Sequence, residues 1–274
     1  MICAKWNENK SRNKYIQLCK QALEDDFTFN NIKSHPNYSM VEKANITYKL
    51  CGEWLLNVYF NNYPNMLHFL EYGIDNDKYC NPTKFDYSYL LQNRVKLSTY
   101  NMSFCCISYV VKALNIITHM KNIDINKYNI VEIGGGYGGQ AYILFKISKD
   151  LNIDIESYSI FDIKYPSMLQ QKYINLVKLN EICNINTYYD LNIDKNISDK
   201  FNFVISNYAL SEISTKIQDV YFKKILYNVK HGFILWNFLN RENINPYFER
   251  NNININTREE CNPNILKNSL EIKY

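Results

Sequence analysis

Glycine and histidine are scarce in this chain, and it has no long apolar run and no basic block. No apolar stretch is long enough to span a bilayer, and the first residues lack the apolar centre of a secretory leader. These features predict a cytoplasmic protein with no membrane partner. The basic residues are interleaved with acidic ones at a net charge of +4, so no nucleic-acid partner is expected.

Neither the cysteines nor the histidines have the spacing of metal ligands. The 8 cysteines include no C-x-x-C pair, and without a leader we expect them to be reduced and mostly buried. The 4 histidines are scattered, and no acidic residues cluster with them. We therefore predict no metal site, with the alternative that the fold brings Asp162, Asp190, Glu259 and Glu260 together. With 46% hydrophobic and 21% charged residues, the 274-residue chain can bury a substantial core.

The few glycines are concentrated in one place. Five of the 8 glycines fall between residues 134 and 139. An apolar, β-branched run from Ile130 to Ile133 precedes them and predicts a buried strand, and Ala141 to Ile147 predicts a helix. Strand, glycine turn and helix form a phosphate- or nucleoside-binding corner, because glycine allows close backbone approach and the helix N-terminus presents free N–H groups.

The spacing of these glycines fits two classes of ligand. The dinucleotide pattern G-x-G-x-x-G is matched by Gly134, Gly136 and Gly139. The same segment, read from Glu132 to Gly138, matches E-x-G-x-G-x-G, the first motif of S-adenosylmethionine-dependent methyltransferases. The glycines alone therefore do not identify the ligand.

An acidic residue in the strand favours methyl transfer. Glu132 is placed to accept the ammonium of a methionine moiety, whereas beside a pyrophosphate it would be repulsive. Asp162, which ends the next predicted strand, does not discriminate, since both cofactors need a carboxylate near the ribose. A P-loop is excluded because Gln140 stands where its lysine would be.

Strands and helices alternate after the glycine turn, which predicts a doubly wound, mostly parallel sheet with ligands at the carboxyl ends of its strands. The further predicted strands are Ile155–Phe161, Ile185–Tyr189, Phe201–Ser206 and Phe233–Trp236. Two tail segments, 253–256 and 269–274, are predicted to add closing antiparallel strands.

The chain before the glycine strand has a helical pattern. Predicted helices cover Ser11–Glu24, follow a capping box at Ser39, begin at Pro64 with Gly73 as the C-cap, and cover Asn101–Thr118. We predict a helical extension over residues 1–95 and a catalytic domain over residues 96–274. The extension is interpreted as an acceptor-binding cap, a dimerisation arm that would make a homodimer, or packing over a sheet edge.

Two segments resemble the sugar O-methyltransferase family, which has the class I methyltransferase fold. They are Val131–Gly139 and Ile205–Ile213, and the Ser-Asn-Tyr-Ala-x-Ser-Glu string in the second is the more family-specific. The resemblance extends from about Asn81 onward, and Lys164 and Asn202 depart from the family pattern. It implies a Rossmann-like enzyme that uses S-adenosyl-L-methionine to methylate a hydroxyl of a sugar or nucleotide sugar in glycan biosynthesis.

The candidate site residues follow from this reading. The predicted cofactor-binding residues are Glu132, Gly134, Gly135, Gly136, Tyr137, Gly138, Asp162, Asp190 and Asn207. Among them, Asp162 would accept the ribose hydroxyls or else cap the next helix, and Asp190 would receive the adenine amino group or else lie at the surface. Asn207 would position the methionine moiety.

Two further residues are the predicted catalytic ones. Glu212 is the candidate base for the acceptor hydroxyl. Its alternative role is that of a first-turn glutamate meeting the dipole of the next helix. Tyr208 would orient the acceptor or else pack.

Three other functions stay open on the sequence. A nicotinamide-dependent sugar-nucleotide oxidoreductase fits the glycine spacing, but the only Tyr-x-x-x-Lys spacing near the turn, Tyr142 and Lys146, lies on the first helix. A nucleic-acid methyltransferase would carry Asn/Asp-Pro-Pro-Tyr after the fourth strand, whereas the similar Asn245–Phe248 falls after the fifth. A cofactor-type fold used only for binding is the third.

Overall fold

The computed structural model describes residues 8–38, 46–189, 200–237, 248, 256–259 and 269–274. The chain divides into two compact units, Met1–Val110 and Val111–Tyr274. The dividing point falls inside one continuous helix, Phe104–Met120. The domain boundary predicted between residues 95 and 96 stays a prediction.

Helices dominate the first unit. Its elements are α1 (Glu8–Glu24), α2 (Asp26–Asn30), α3 (Ile46–Asn62), α4 (Leu70–Asn76), β1 (Lys84–Asp86), α5 (Ser88–Leu91), β2 (Asn101–Ser103) and the start of α6 (Phe104–Met120). Short 3₁₀ turns cover Ile32–Ser34 and Pro64–Phe69. The antiparallel β1–β2 pair was not predicted. The capping box at Ser39 lies outside the described residues.

The prediction that Gly73 ends a helix is wrong. Gly73 lies inside α4 and is buried. A Cβ at this position would overlap Sγ of Cys106 and lie 3.0 Å from the Cys106 carbonyl oxygen. The glycine is therefore explained by close packing of α4 against α6, which a side chain would prevent.

The second unit alternates strands and helices. After α6 its elements are β3 (Tyr128–Ile133), α7 (Gly139–Asp150), β4 (Ile155–Phe161), α8 (Lys164–Leu176), β5 (Asn184–Tyr188), β6 (Phe203–Asn207), α9 (Ala209–Glu212), α10 (Thr215–Tyr221), β7 (His231–Asn237), β8 (Asn256–Glu259) and β9 (Ser269–Lys273). A π-helical turn, Phe222–Leu226, extends α10. Each predicted strand of the parallel sheet is present, with ends within two residues of the predicted ones.

The seven strands form one sheet in the order β5-β4-β3-β6-β7-β9-β8. Strands β3 to β7 are parallel, and β9 pairs antiparallel with both β7 and β8. The second predicted tail strand is present as the antiparallel β9. The first, predicted at 253–256, shares only Asn256 with β8, and its other residues lie outside the described ones. This order, with one antiparallel strand inserted next to the edge, is that of the Rossmann-like class I methyltransferase fold. The predicted fold class is confirmed.

The sheet is apolar on both faces. Alternate residues of β3 point to opposite sides, so Val131 and Ile133 join a core with Val204, Ile234 and Trp236, all of them 2% exposed or less. Phe145 of α7 packs on the Tyr158 ring on the other face, with 5.6 Å between centroids. Both faces are therefore covered, as parallel sheets require.

The strand order places a crevice at one point of this sheet. From β3 the chain proceeds outward to β4 and β5, and it then returns to β6 on the other side of β3. Ligands of open α/β sheets bind outside the carboxyl ends of the strands where the order reverses. The ends of β3, β4 and β6 are therefore where a site is expected.

Candidate functional site

The glycine turn connects β3 to α7 in a conformation that needs glycine. Gly134, Gly136 and Gly138 have φ of 74°, 58° and 99°, in the left-handed region. Gly138 is the N-cap of α7, and its N–H donates to the carbonyl of Gly135 at 2.9 Å. The turn is tight, and it presents main-chain groups at the carboxyl edge of the sheet.

Close packing against α9, the helix that follows β6, also requires the first glycine. A Cβ on Gly134 would overlap the Cβ of Ala209, the first residue of α9. The Gly134 N–H donates to the carbonyl of Phe161 at 2.8 Å, at the end of β4. The glycine turn is thus fixed against the end of β4 and the start of α9.

Glu132 is a buried carboxylate directly behind the glycine turn. Its side chain is 1% exposed, and Oε2 accepts a hydrogen bond from the Tyr158 hydroxyl at 2.9 Å. The same oxygen lies 3.1 Å from where a Cβ of Gly135 would be. Burial raises the pKa of Glu132 to about 7, while the Tyr158 hydrogen bond and the positive charge of Lys112 lower it. This carboxyl group is therefore poised to ionise when a cation arrives.

The raised pKa of Glu132 makes stability depend on pH. The pKa of Glu132 in the folded state lies above its ordinary value of 4.5. The contribution of this carboxyl group to the free energy of unfolding is therefore fully present below pH 4.5 and is lost as the pH rises through 7. Relative to Glu132→Gln, we expect the wild-type free energy of unfolding to fall by about 3 kcal/mol between pH 4.5 and 7.5. Urea unfolding of both proteins across this range measures it, and parallel pH curves would contradict the burial of an ionisable group.

Asp162 follows β4, and its carboxylate accepts hydrogen bonds from the main chain and from a buried amide. Its Oδ1 accepts the N–H of Ile163 at 2.8 Å, and its Oδ2 accepts Nε2 of Gln170 at 2.8 Å. The same Gln170 amide nitrogen donates to the carbonyl of Gly136 at 3.0 Å. Gln170 is fully buried and joins the glycine turn to Asp162. Asp162 does not cap α8, whose N-cap is Ile163 with no side-chain hydrogen bond.

The end of β6 forms the third wall of the site. Ser206 accepts the Leu210 N–H at 3.1 Å and donates to the Ile133 carbonyl at 3.1 Å, which joins α9 to the end of β3. Asn207 has a buried Oδ1 with no hydrogen-bond partner among the described residues. Tyr208 has φ of 70°, a conformation that side chains rarely adopt and that is concentrated at functional sites.

The remaining predicted residues take different positions. Tyr137 is 1% exposed, and its ring packs edge-on against Tyr173, with 4.9 Å between centroids, so its side chain is part of the packing beneath the turn. Glu212 is exposed at the end of α9. Asp190 lies outside the described residues.

Three residues of this site were missed on the sequence: Lys112, Tyr158 and Gln170. Lys112 had a usable signal, because it is the one lysine or arginine in the apolar sequence of α6. Its Nζ lies 4.9 Å from the centroid of the Tyr208 ring, and its side chain is 8% exposed. Tyr158 and Gln170 occupy ordinary positions of a buried strand and a helix, and no pattern distinguishes them.

Two further observations concern metals and membranes. Within the part of the chain that the structure describes, no three His, Cys, Asp or Glu residues stand together as ligands for a metal ion. Across the same residues, no helix combines the length and the apolar character needed to cross a bilayer.

Comparison with known proteins gives similarity at the level of structure only. No protein-family model and no curated protein sequence matches the chain. The methyltransferase domain of bacterial CtHen1 is 11% identical, with a TM-score of 0.44, over 59% of this chain and 96% of that one. An S-adenosylmethionine-dependent methyltransferase from Aquifex aeolicus is 11% identical, with a TM-score of 0.40, over 60% and 96%. The strand order, independent of these superpositions, defines the fold.

Proposed function

We propose that this chain is an S-adenosylmethionine-dependent methyltransferase. The observation that carries the proposal is the buried Glu132 directly behind the glycine turn at the point where the strand order reverses. A carboxylate there attracts the ammonium of a methionine moiety and repels a pyrophosphate. The ammonium would in turn stabilise the ionised form of a group whose pKa is about 7 in its absence.

The residues present fit this cofactor. Asp162 follows β4 beside the glycine turn, and the Ile163 N–H and the Gln170 amide hold its carboxylate, which would accept the ribose hydroxyls. The buried Oδ1 of Asn207 provides an acceptor at the end of β6. When bound, S-adenosylmethionine supplies an electrophilic methyl group on a sulfonium. The protein has to hold the acceptor in line and help it lose a proton.

A nicotinamide-dependent oxidoreductase is less well supported. Its pyrophosphate would lie on the glycine turn at the N-terminus of α7. Glu132 lies immediately behind that turn, and the only tyrosine–lysine pair with relay spacing, Tyr142 and Lys146, lies on α7 itself. The cofactor experiment includes this alternative.

Calorimetric titration with S-adenosylhomocysteine, NAD and NADP tests the proposal. We expect S-adenosylhomocysteine to bind and both nicotinamides to give no heat beyond dilution. Binding of NAD or NADP in place of S-adenosylhomocysteine would overturn the methyltransferase assignment and leave Glu132 without a role. Silence from all three would favour a binding module.

The acceptor we propose is a sugar hydroxyl, free or on a nucleotide sugar. Support comes from the Ser206–Glu212 string, which resembles the sugar O-methyltransferase family. Glu212 is exposed at the end of α9, directly after the strand that ends at Asn207, and is the proposed base. Tyr208 lies between β6 and α9 and is the residue that we propose orients the acceptor.

We expect Glu212→Gln to lower kcat about 100-fold on the true acceptor and to leave affinity for S-adenosylhomocysteine within twofold, because a positioned base contributes about 10²–10⁴ in rate. Transfer of labelled methyl to a panel of sugars and nucleotide sugars measures the rate. Glu156→Gln is the control, since Glu156 is an exposed residue near the amino end of β4. A full rate for Glu212→Gln would show that the base is another group.

A further inference from the structure

A buried lysine stands in the site without a role in the proposed chemistry. Lys112 lies on α6, is 8% exposed, and directs its ammonium over the Tyr208 ring at 4.9 Å from the centroid. Desolvating a lysine is unfavourable unless negative or π-electron density compensates it. The Tyr208 face supplies part of that compensation.

The second group that faces Lys112 is Glu132. The lysine is close enough for its charge to lower the pKa of that carboxyl group. Glu132 in turn accepts a hydrogen bond from the Tyr158 hydroxyl at Oε2. A cation and an ionisable carboxyl group thus stand in one corner at the carboxyl end of β3.

Strand register brings a third group to the same side. Glu132 pairs with Ile205 across the parallel β3–β6 ladder, so their side chains share one face of the sheet. Asn207, two residues beyond Ile205, points to that same face, and its buried Oδ1 lacks a hydrogen-bond partner among the described residues. Two acceptors and one cation therefore occupy one face of the sheet near the glycine turn.

We infer that Lys112 binds the carboxylate of the methionine moiety, so that Lys112, Glu132 and Asn207 together recognise an α-amino acid zwitterion. The inference rests on the proposed function. An ammonium needs acceptors, which Glu132 and Asn207 supply, and a carboxylate needs a cation, which Lys112 supplies. Lys112 is then a specificity-determining residue, because a cofactor without the amino acid carboxylate lacks the group that this cation would bind.

A ligand that differs only in the carboxylate tests this assignment. Decarboxylated S-adenosylhomocysteine keeps the adenosine, the thioether and the ammonium. Hydrogen bonds between charged groups contribute enough for about a 10- to 100-fold change in affinity. We expect the wild-type protein to bind S-adenosylhomocysteine about 10- to 100-fold more tightly than the decarboxylated ligand in calorimetric titrations at pH 8.

Variants of Lys112 test whether this side chain causes the preference for S-adenosylhomocysteine over the decarboxylated ligand. Lys112→Met should weaken S-adenosylhomocysteine binding at least tenfold, with less than a twofold change for the decarboxylated ligand, so the wild-type preference disappears. Lys112→Arg should keep most of the preference. Lys146→Met is the matched control, because Lys146 also lies over a tyrosine ring, 5.5 Å from the centroid of Tyr142, but on the body of α7.

Each other outcome overturns the inference. Equal wild-type affinity for the two ligands would show that no group reads the carboxylate. Equal weakening of both ligands by Lys112→Met, or an unchanged preference, would make Lys112 a structural counter-ion of Glu132. Failure of the wild-type protein to bind either ligand would instead refute the proposed methyltransferase function, which separates the two failures.

Discussion

Replacing Gly134 with alanine should destabilise the second unit by about 2–5 kcal/mol and abolish S-adenosylhomocysteine binding. Two effects add. A left-handed φ, here 74°, costs a residue with a Cβ about 1–2 kcal/mol. The new methyl group also overlaps the Cβ of Ala209, and overpacking of this kind costs about 1–3 kcal/mol. Urea unfolding and calorimetric titration measure the two losses.

A second-site change separates these two causes. Ala209→Gly removes the methyl group that Gly134→Ala would meet, so the double variant should regain the overpacking part but not the backbone part. A double-mutant cycle should therefore give a coupling of about 1–3 kcal/mol between positions 134 and 209. A coupling near zero would mean that the turn and α9 are not packed as described.

Asp162→Ala should weaken S-adenosylhomocysteine binding about 10²- to 10⁴-fold. The proposed role gives Asp162 two charge-assisted hydrogen bonds to the ribose hydroxyls, each contributing about 1.5–3 kcal/mol. Asp162→Asn should lie between wild type and alanine, because an amide keeps one accepting oxygen. Calorimetric titration of the three proteins measures the series.

The control for Asp162 is the variant Asp154→Ala. Asp154 is exposed and directly precedes β4, so it lies at the amino end of the strand that Asp162 follows. It should leave affinity unchanged. If Asp162→Ala bound S-adenosylhomocysteine within threefold of wild type, the ribose role would be wrong. The carboxylate would then serve only to hold Ile163 and Gln170.

The parallel sheet was predictable because its strands are short apolar runs bounded by turn residues. Ile155–Phe161 coincides with the observed β4, and the alternation of strands with helices predicts their parallel pairing but not their order in the sheet. The first unit was less predictable. Gly73 has the sequence signature of a C-cap, and only the packing of Cys106 against it, 33 residues later, explains its place inside α4.

The candidate site residues could be predicted where the proposed chemistry requires a particular residue type. They could not be predicted where a residue is brought to the site only by packing. The glycine turn, Glu132 and Asp162 stand at strand ends, which a sequence reveals. Gln170 joins Gly136 to Asp162 from a helix eight residues later, through an amide that any helical position can carry. Such contacts depend on how α8 packs against the glycine turn. The hydrophobic periodicity of the sequence predicts the helix but not this packing.

The placement of β9 has a consequence for how the sheet assembles during synthesis. Strand β8 precedes β9 in the chain but lies outside it, and β9 fills the position between β8 and β7. A nascent chain that has released β7 and β8 has no hydrogen-bonding partner for β8 within this sheet. At this edge the strands therefore join the sheet in the opposite order to their synthesis: β9 pairs with β7 first, and β8 then pairs with β9. Until then the open side of β7 is exposed to pairing with other chains, a stage at which chaperone capture would be most effective.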